Sequence, residues 1–432
     1  MTPEDQARLL AQGTEEVLPE GGLLARLERC ARDKRPLRVK QGFDPTAPDI
    51  HLGHTVGMRK LRRFQDLGHQ VVLIVGDFTG MVGDPSGRSK TRPQLTEAEV
   101  EANARTYLEQ FYRVLERAPR PPRLPVEIHR NGEWFSTMRF MEIMKLASEY
   151  TVARLLERDD FAKRFKAGHP IGVHELMYPL MQGFDSVAIR ADVELGGTEQ
   201  KFNLLVGRAL QEVRGQEPQL VMTVPILPGL DGVQRMSKSL GNYVGISESP
   251  AEMFGKIMSL PDALMEDYWR LVTDADEREL REVRAALGDA AVNPMTVKRR
   301  LAHRIVLMYH GAEAARRAEQ DFETQFSRRE TPEHLEEFHR AAVMAAVGNA
   351  PRAGVVELLV AAGFAASKGA ARRLVAQGAV RIDGERVTAL DAPVDLDAVF
   401  VVRAGRRMKR YRPAPEAGSG PARGAQGRAA GS

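Results

Sequence analysis

Between Leu37 and Gly76 the chain spells a strand, a helix and a second strand, the order that most restricts what it can fold into. Leu37 to Phe43 reads as a short strand that breaks at Asp44-Pro45-Thr46, with a second proline at Pro48. From about His54 to Leu67 the residues Met58, Leu61, Phe64 and Leu67 recur at helical spacing, and Gly68 follows as a helix C-cap would. Gln70-Val71-Val72-Leu73-Ile74-Val75-Gly76 is a run suited to a parallel strand buried on both faces. A strand, helix, strand unit of this kind opens a doubly wound α/β sheet, and such sheets hold ligands beyond the carboxyl ends of their strands. Chemistry is therefore expected in the loops after Phe43 and Gly76.

The rest of the chain divides by pattern. Strand signals are absent from about Ser249 to Gly348, where Val297, Leu301, Ile305 and Met308 share one helix face, so a separate α-helical domain is expected over 249–348 after an α/β domain at 1–248. A small α+β segment is expected at 351–412. There Ser367, Lys368, Arg372 and Arg373 accompany a short helix ending at Gly378, and Asp383-Gly384 lies between the alternating runs that contain Arg381 and Val387, a strong hairpin signal. Pro, Ala, Gly and Ser dominate beyond it, so 413–432 is expected to be a disordered tail.

Charge follows the same division. Pro351 to Ser432 carries 14 Lys or Arg against 7 Asp or Glu, while the whole chain has a formal net charge of +4, which leaves the preceding residues net acidic. A basic appendage on an acidic body suggests a polyanionic partner, or else a solvated basic face. The single cysteine, Cys30, excludes a disulfide framework and a Cys-rich zinc site. The acidic start Met1-Thr2-Pro3-Glu4-Asp5 lacks the pattern of a secretory signal, and the apolar runs fall far short of the roughly 20 residues that span a bilayer. A cytoplasmic protein without membrane segments is the expectation.

Two loops carry candidate chemistry. His51-Leu52-Gly53-His54 stands where the first helix begins, and a side-chain-free Gly53 between two imidazoles lets a nucleotide base lie on the backbone while ring N–H groups and helix-start amides face its phosphates. Metal binding or simple exposure would leave the same letters. Further on, Arg235-Met236-Ser237-Lys238-Ser239-Leu240 follows the turn Gly229-Leu230-Asp231-Gly232. Its cations and hydroxyls suit a clamp that closes on a leaving pyrophosphate, although a basic surface loop would read alike. Tyr178, Gln182 and Asp185, spaced i, i+4, i+7, would form one helix stripe, with Pro179 fitting a first turn or kink better than a straight helix. Gly83 to Lys90 misses the phosphate-loop spacing and no Gly-x-Gly-x-x-Gly follows the first strand, which weakens kinase and dehydrogenase readings. His169 and His174, flanking Pro170, have poor metal-ligand spacing.

Together the two loops resemble the HIGH and KMSKS signatures of class I aminoacyl-tRNA synthetases, with Arg235 in place of the usual first lysine. The chain is most similar to the bacterial tyrosyl-tRNA synthetases through Gly42 to Thr46, Thr79-Gly80, Gly83 to Gly87, Asn131 before Trp134, Tyr178-Pro179 with Gln182 and Asp185, and Gly196 to Gln200. Its C-terminal segment resembles their S4 RNA-binding domain. The resemblance implies a Rossmann-like catalytic domain, an anticodon-facing helical domain, ATP, L-tyrosine and tRNA(Tyr) as substrates, Mg²⁺ accompanying ATP, and a homodimer. It implies that His51, His54 and Thr46 meet the ATP phosphates, that Gly53 lies beneath adenine with Gly197 and Glu199 near the ribose, and that Gly42, Asp44, Met236 and Ser237 complete the nucleotide site. Arg235 and Lys238 would stabilise the phosphorus and departing pyrophosphate. Asp185 would accept the phenol proton, Tyr178, Gln182 and Asp84 would hold the α-ammonium, and Asn131 and Gln200 would lie beside them. Lys40 replaces a tyrosine that bonds the phenol in many members, and is expected to reach the phenol or an intervening water; Glu199 replaces an aspartate. Lys368, Arg372, Arg373 and Arg381 are the expected RNA contacts, and no metal-binding residue is expected. A tryptophanyl enzyme, a catalytically inactive RNA-binding scaffold and a cofactor adenylyltransferase are the rivals. An indole has less use for Asp185, a scaffold has no need of the whole constellation, and an adenylyltransferase leaves the C-terminal half unexplained.

Overall fold

The computed structural model describes residues 1–45, 49–86, 96–324, 335–348, 350–405 and 407–413. Two compact units, Met1–Glu319 and Gln320–Ser432, make up the chain. Thr46 and Gly87 lie outside the described residues, as does the proposed tail from 414 onward.

The first unit is built on six strands: β1 (Glu16–Leu18), β2 (Arg38–Phe43), β3 (Gln70–Val75), β4 (Glu127–Arg130), β5 (Val193–Gly197) and β6 (Leu220–Val224). Their order is β1-β6-β5-β2-β3-β4, parallel throughout except for β1, which runs antiparallel along β6. The expected pair β2 and β3 is in place, in register from Arg38 with Gln70 to Phe43 with Val75. The winding reverses between β2 and β5, and there the carboxyl ends of the central strands leave a crevice, as expected for this sheet type. Between β2 and β3 runs the helix Leu52–Asp66, with Met58, Leu61 and Phe64 fully buried and Gly68 turning the chain at φ +84°. The helix Val173–Ile189 leads into β5 and continues past Pro179, seven residues in, so the proline does not end it.

Helical text begins where expected, with Ser249 capping the helix Pro250–Met258 by accepting from Glu252 N at 3.3 Å. Val297, Leu301 and Ile305 are buried, and Met308 is half-buried. Up to Glu319 these helices lie in the same compact unit as the sheet, where Tyr268 and Trp269 are fully enclosed and the Tyr268 hydroxyl donates to Pro228 O at 2.7 Å.

The second unit begins ahead of the expected boundary at 348. It includes β7 (Glu336–His339), a strand inside the segment read as wholly helical, together with β8 (Arg352–Gly354), β9 (Val380–Ile382), β10 (Glu385–Arg386), β11 (Pro393–Asp395), β12 (Phe400–Ala404) and β13 (Arg407–Arg412). Five of them form one sheet, β10-β9-β12-β13-β7, with β7 parallel to β13. The expected hairpin is β9 to β10, with Asp383 at φ 47° and Gly384 at φ 86°, the double left-handed turn that two-residue hairpins favour. Phe400 stacks on Tyr411 at 4.6 Å, and the Tyr411 hydroxyl donates to Leu396 O at 3.0 Å, closing a small core. Ser367 caps the helix Lys368–Ala376, on which Arg372 and Arg373 are exposed; Arg381 is exposed on β9.

Candidate active site

One cavity of about 460 Å³ opens at the carboxyl ends of the parallel strands. Its walls bring together His51, His54, Asp44, Gly42 and Gly53 with Asp84, Asn131, Tyr178, Gln182 and Asp185, and with Gly197, Glu199, Gln200, Arg235, Met236, Ser237 and Lys238. Residues about 190 positions apart thus face one space because separate strands end at one edge.

At the start of the helix Leu52–Asp66 the backbone N–H of His51 donates to His54 Nδ1 at 3.2 Å. That acceptor role leaves the His54 proton on Nε2. The rings lie 3.8 Å apart, and burial, with each other's and Lys238's charge adding, lowers His51 to about 2; burial and Lys238 lower His54 to about 4. Both are therefore neutral donors at neutral pH. Gly53 N–H points at Met236 Sδ, 3.3 Å away, and a Cβ on Gly53 would stand 3.0 Å from the His51 ring.

Lys238 is ion-paired with Asp49, and its ammonium lies 5.7 Å from the centre of the Tyr243 ring. Two residues that the sequence reading did not single out hold this loop. Asn242 accepts from Ser237 N at 2.8 Å and donates to Asp231 at 2.6 Å and to Arg235 O at 3.1 Å, while Asp231 caps Val233 N and Gln234 N at 2.9 Å. Asp231-Gly232 was visible as a turn; nothing in the text pointed to its partner. Glu199 stands at the rim, where the surrounding walls raise its carboxyl and Arg235 partly offsets that rise.

On the opposite wall the stripe on Val173–Ile189 is directed inward. The Tyr178 hydroxyl donates to Asp44 Oδ2 at 2.7 Å. Asp185, 3% exposed, accepts from Trp134 Nε1 at 3.0 Å and Asn131 Nδ2 at 3.4 Å. Burial raises its carboxyl to about 7, against the pull of Lys40 and of the two hydrogen bonds. Asp84 accepts from Gln200 Nε2 at 2.8 Å, and Asn203 donates to both Gln182 Oε1 at 2.9 Å and Gln200 Oε1 at 3.1 Å. Asn203 and Arg158, which donates to Asn203 Oδ1 at 3.1 Å, are further members that no pattern announced.

Lys40 departs from expectation. It is fully buried and absent from the cavity wall, because β2 turns its side chain under the helix Val173–Ile189. Gln182 O, Ser186 Oγ and Glu194 take its ammonium there. His169 is exposed and His174 half-buried, and neither lines the cavity.

A doubly wound sheet with paired helix-start histidines and a lysine-bearing loop on one crevice defines a nucleotide-activating enzyme of the class I synthetase type, and comparison with known proteins agrees. Residues 32–327 match the family model of tRNA synthetases class I (W and Y), and residues 337–410 match that of the tyrosine–tRNA ligase SYY-like C-terminal domain. The chain is 53% identical over 402 residues to a tyrosine–tRNA ligase of Moorella thermoacetica, covering 93% of this chain and 94% of that one. It is 50% identical to the ligase of Thermotoga maritima, covering 95% and 98%. The chain belongs to the tyrosine–tRNA ligases. Among solved structures, the C-terminally truncated mitochondrial tyrosyl-tRNA synthetase of Aspergillus nidulans shares the fold at a TM-score of 0.62 and 20% identity, over 75% of this chain and 94% of that one. The Archaeoglobus fulgidus enzyme, solved with L-tyrosine, does so at 0.58 and 22%, over 73% and 99%.

Proposed function

We propose that the cavity carries out both halves of tyrosylation by positioning and charge stabilisation, with no side chain acting as nucleophile. The tyrosine carboxylate attacks the α-phosphorus of ATP in line, giving tyrosyl-adenylate and pyrophosphate; a terminal ribose hydroxyl of tRNA(Tyr) then attacks the acyl carbonyl. Asp185 accepts the substrate phenol's proton in a hydrogen bond, and Asp84, Tyr178 and Gln182 hold the α-ammonium, with Gln200 and Asn131 keeping those acceptors in place. The neutral His51 and His54 donate to phosphate oxygens as charge builds at phosphorus, as does Thr46. Gly42, Asp44, Gly53, Gly197, Glu199, Met236 and Ser237 cradle the nucleotide. Arg235 and Lys238 neutralise the departing pyrophosphate, Lys238 after leaving Asp49. The observation that carries this reading is the enclosed Asp185, a hydrogen-bond acceptor in the wall of the same cavity as the histidines, suited to a phenol.

Mg²⁺ would accompany ATP as its counter-ion, and the half-exposed Asp49 carboxylate is an oxygen donor of suitable chemistry to help hold it. It would offset triphosphate charge. Lys368, Arg372, Arg373 and Arg381 give the second unit a basic surface for the tRNA backbone, and the helices after Ser249 would face the anticodon. A homodimer would give cover to Phe140, Met141, Phe165 and Val173, which are 72%, 73%, 67% and 77% exposed. Residence in the cytoplasm accords with the substrates, and among the described residues no helix is long and apolar enough to cross a membrane.

Amino-acid-dependent exchange of labelled pyrophosphate into ATP, run with each of the twenty amino acids and no tRNA, tests the first half. Exchange with tyrosine alone is expected; exchange with tryptophan would reassign the pocket, and none at all would leave an RNA-binding scaffold.

A further inference from the structure

Behind the cavity wall lies a charge pair to which the chemistry above gives no part. Lys40 on β2 and Glu194 on β5 are register partners with side chains 0% and 1% exposed. The ammonium donates to Gln182 O at 2.8 Å and Ser186 Oγ at 2.7 Å and is ion-paired with Glu194 Oε1 at 3.0 Å. Glu194 accepts in addition from the side-chain amide of Gln182 at 3.3 Å, from Ser186 Oγ at 2.9 Å and from the amide of Gln219. Desolvating such a pair is costly, and apolar residues of similar volume would hold helix to sheet as well. What they would not supply is direction and charge at two cavity residues. Gln182 is held by both its carbonyl and its amide, and Asp185, one turn further along the same helix, lies in the field of Lys40.

We propose that the Lys40–Glu194 pair positions the tyrosine-selecting groups, aiming the Gln182 amide and, through Ser186, fixing the turn of helix that carries Asp185. The proposal deepens the reading of Asp185 and Gln182 given above and rests on it. Facing Asp185 are Lys40 from β2, Glu194 from β5, Trp134 and Asn131 from the segment after β4, and Tyr178 from its own helix. Lys40 favours the carboxylate and Glu194 opposes it, Lys40 being the stronger. Removing one or the other must therefore move Asp185 in opposite directions, which loss of packing alone does not do.

The test uses the full-length enzyme as Lys40→Met, Glu194→Gln and the double variant. Pyrophosphate exchange is followed from about pH 5 to about pH 9, with separate KM values for tyrosine and ATP. The acid limb of kcat/KM for tyrosine is expected to move up by about one pH unit in Lys40→Met and down in Glu194→Gln. At neutral pH the Lys40→Met KM for tyrosine should rise about tenfold and that for ATP stay within about twofold. Should the unpaired Glu194 prevent folding of Lys40→Met, the double variant, which buries no lone ion, keeps the upward shift. Limbs that stay in place, or that move the same way in both single variants, overturn the proposal. Asp185→Asn separates the two layers. If it abolishes the limb while the Lys40 and Glu194 variants leave it unmoved, the pair has no such role; if it leaves both the limb and the preference for tyrosine intact, the underlying reading of Asp185 fails.

Discussion

The Tyr178 hydroxyl donates to Asp44 Oδ2 over 2.7 Å, tying the helix Val173–Ile189 to the loop after β2. Thr79 Oγ1 holds the other carboxylate oxygen at 2.8 Å, and only a glycine fits at 76, since a Cβ there would stand 2.0 Å from Asp44 Oδ1. Burial and the neighbouring Asp44 raise the Tyr178 phenol well above its ordinary value, so it remains a donor at every working pH. Tyr178→Phe removes one charge-assisted hydrogen bond, worth about 1.5–3 kcal/mol. The expected outcome in steady-state exchange is a KM for tyrosine raised about tenfold or more, with kcat less affected.

Asp185 should make selectivity and stability pull against each other. Its carboxyl is raised from 3.8 to about 7 by burial, so between those values the folded chain holds a proton that the unfolded chain has released. Stability of the ligand-free protein is therefore highest below about pH 4 as far as this group is concerned, and falls as pH rises through the window to about 7. Asp185→Asn is expected to flatten that loss, leaving the variant more stable than the parent above pH 7 by about 1–4 kcal/mol. Thermal melting across pH without ligand checks the sign, while the tyrosine over phenylalanine preference in exchange should collapse. A parent and variant with parallel melting curves would show that Asp185 is ionised without cost.

Because His51 and His54 titrate at about 2 and about 4, neither should impose an ionisation on activity above about pH 5. Substituting either by alanine removes a donor that matters most as charge develops on phosphorus. A fall in kcat of roughly 10²–10³ is expected, with the KM for tyrosine little changed, as judged by pre-steady-state adenylate formation. A variant whose defect is confined to KM would assign the histidines to ground-state binding.

The unit boundary sets where a truncation can be made. Cutting at Pro351 would strand β7, whose partner β13 lies at Arg407–Arg412. Ending the chain after residue 324 respects the compact first unit and should spare pyrophosphate exchange to within about threefold while lowering tRNA charging at least about tenfold. Aminoacylation with labelled tyrosine reads the second quantity; equal charging by the shortened enzyme would remove the second unit from tRNA binding.

Local patterns made the opening strand-helix-strand unit, the helical stretch after Ser249 and the place of the cavity readable. β2, β3, the His51-capped helix and the Asp383-Gly384 hairpin each follow from residues a few positions apart, and the carboxyl-edge rule then placed the pocket. What escaped was decided by pairing at long range. β1 and β7 are short strands that exist because β6 and β13 offer them an edge. Lys40 was expected in the pocket because it stands where many of the similar enzymes have a phenol-bonding tyrosine; the acceptors that a distant helix and β5 bring beneath it could not be read from the sequence. Glu194 between Val193 and Leu195 was a clue of the right kind, a charge within a buried parallel strand, whose partner is found only once β5 is laid beside β2.

The pairing of β7 with β13 joins residue 336 to residue 409. Chains emerge from synthesis amino end first, and contacts distant in sequence are slow to form. The catalytic unit can complete its sheet at β6 while nearly half of the polypeptide is still to come, whereas the C-terminal sheet waits for β13 at Arg407–Arg412. A chain released early would thus be born able to make an activated amino acid but lacking the finished surface for handing it on.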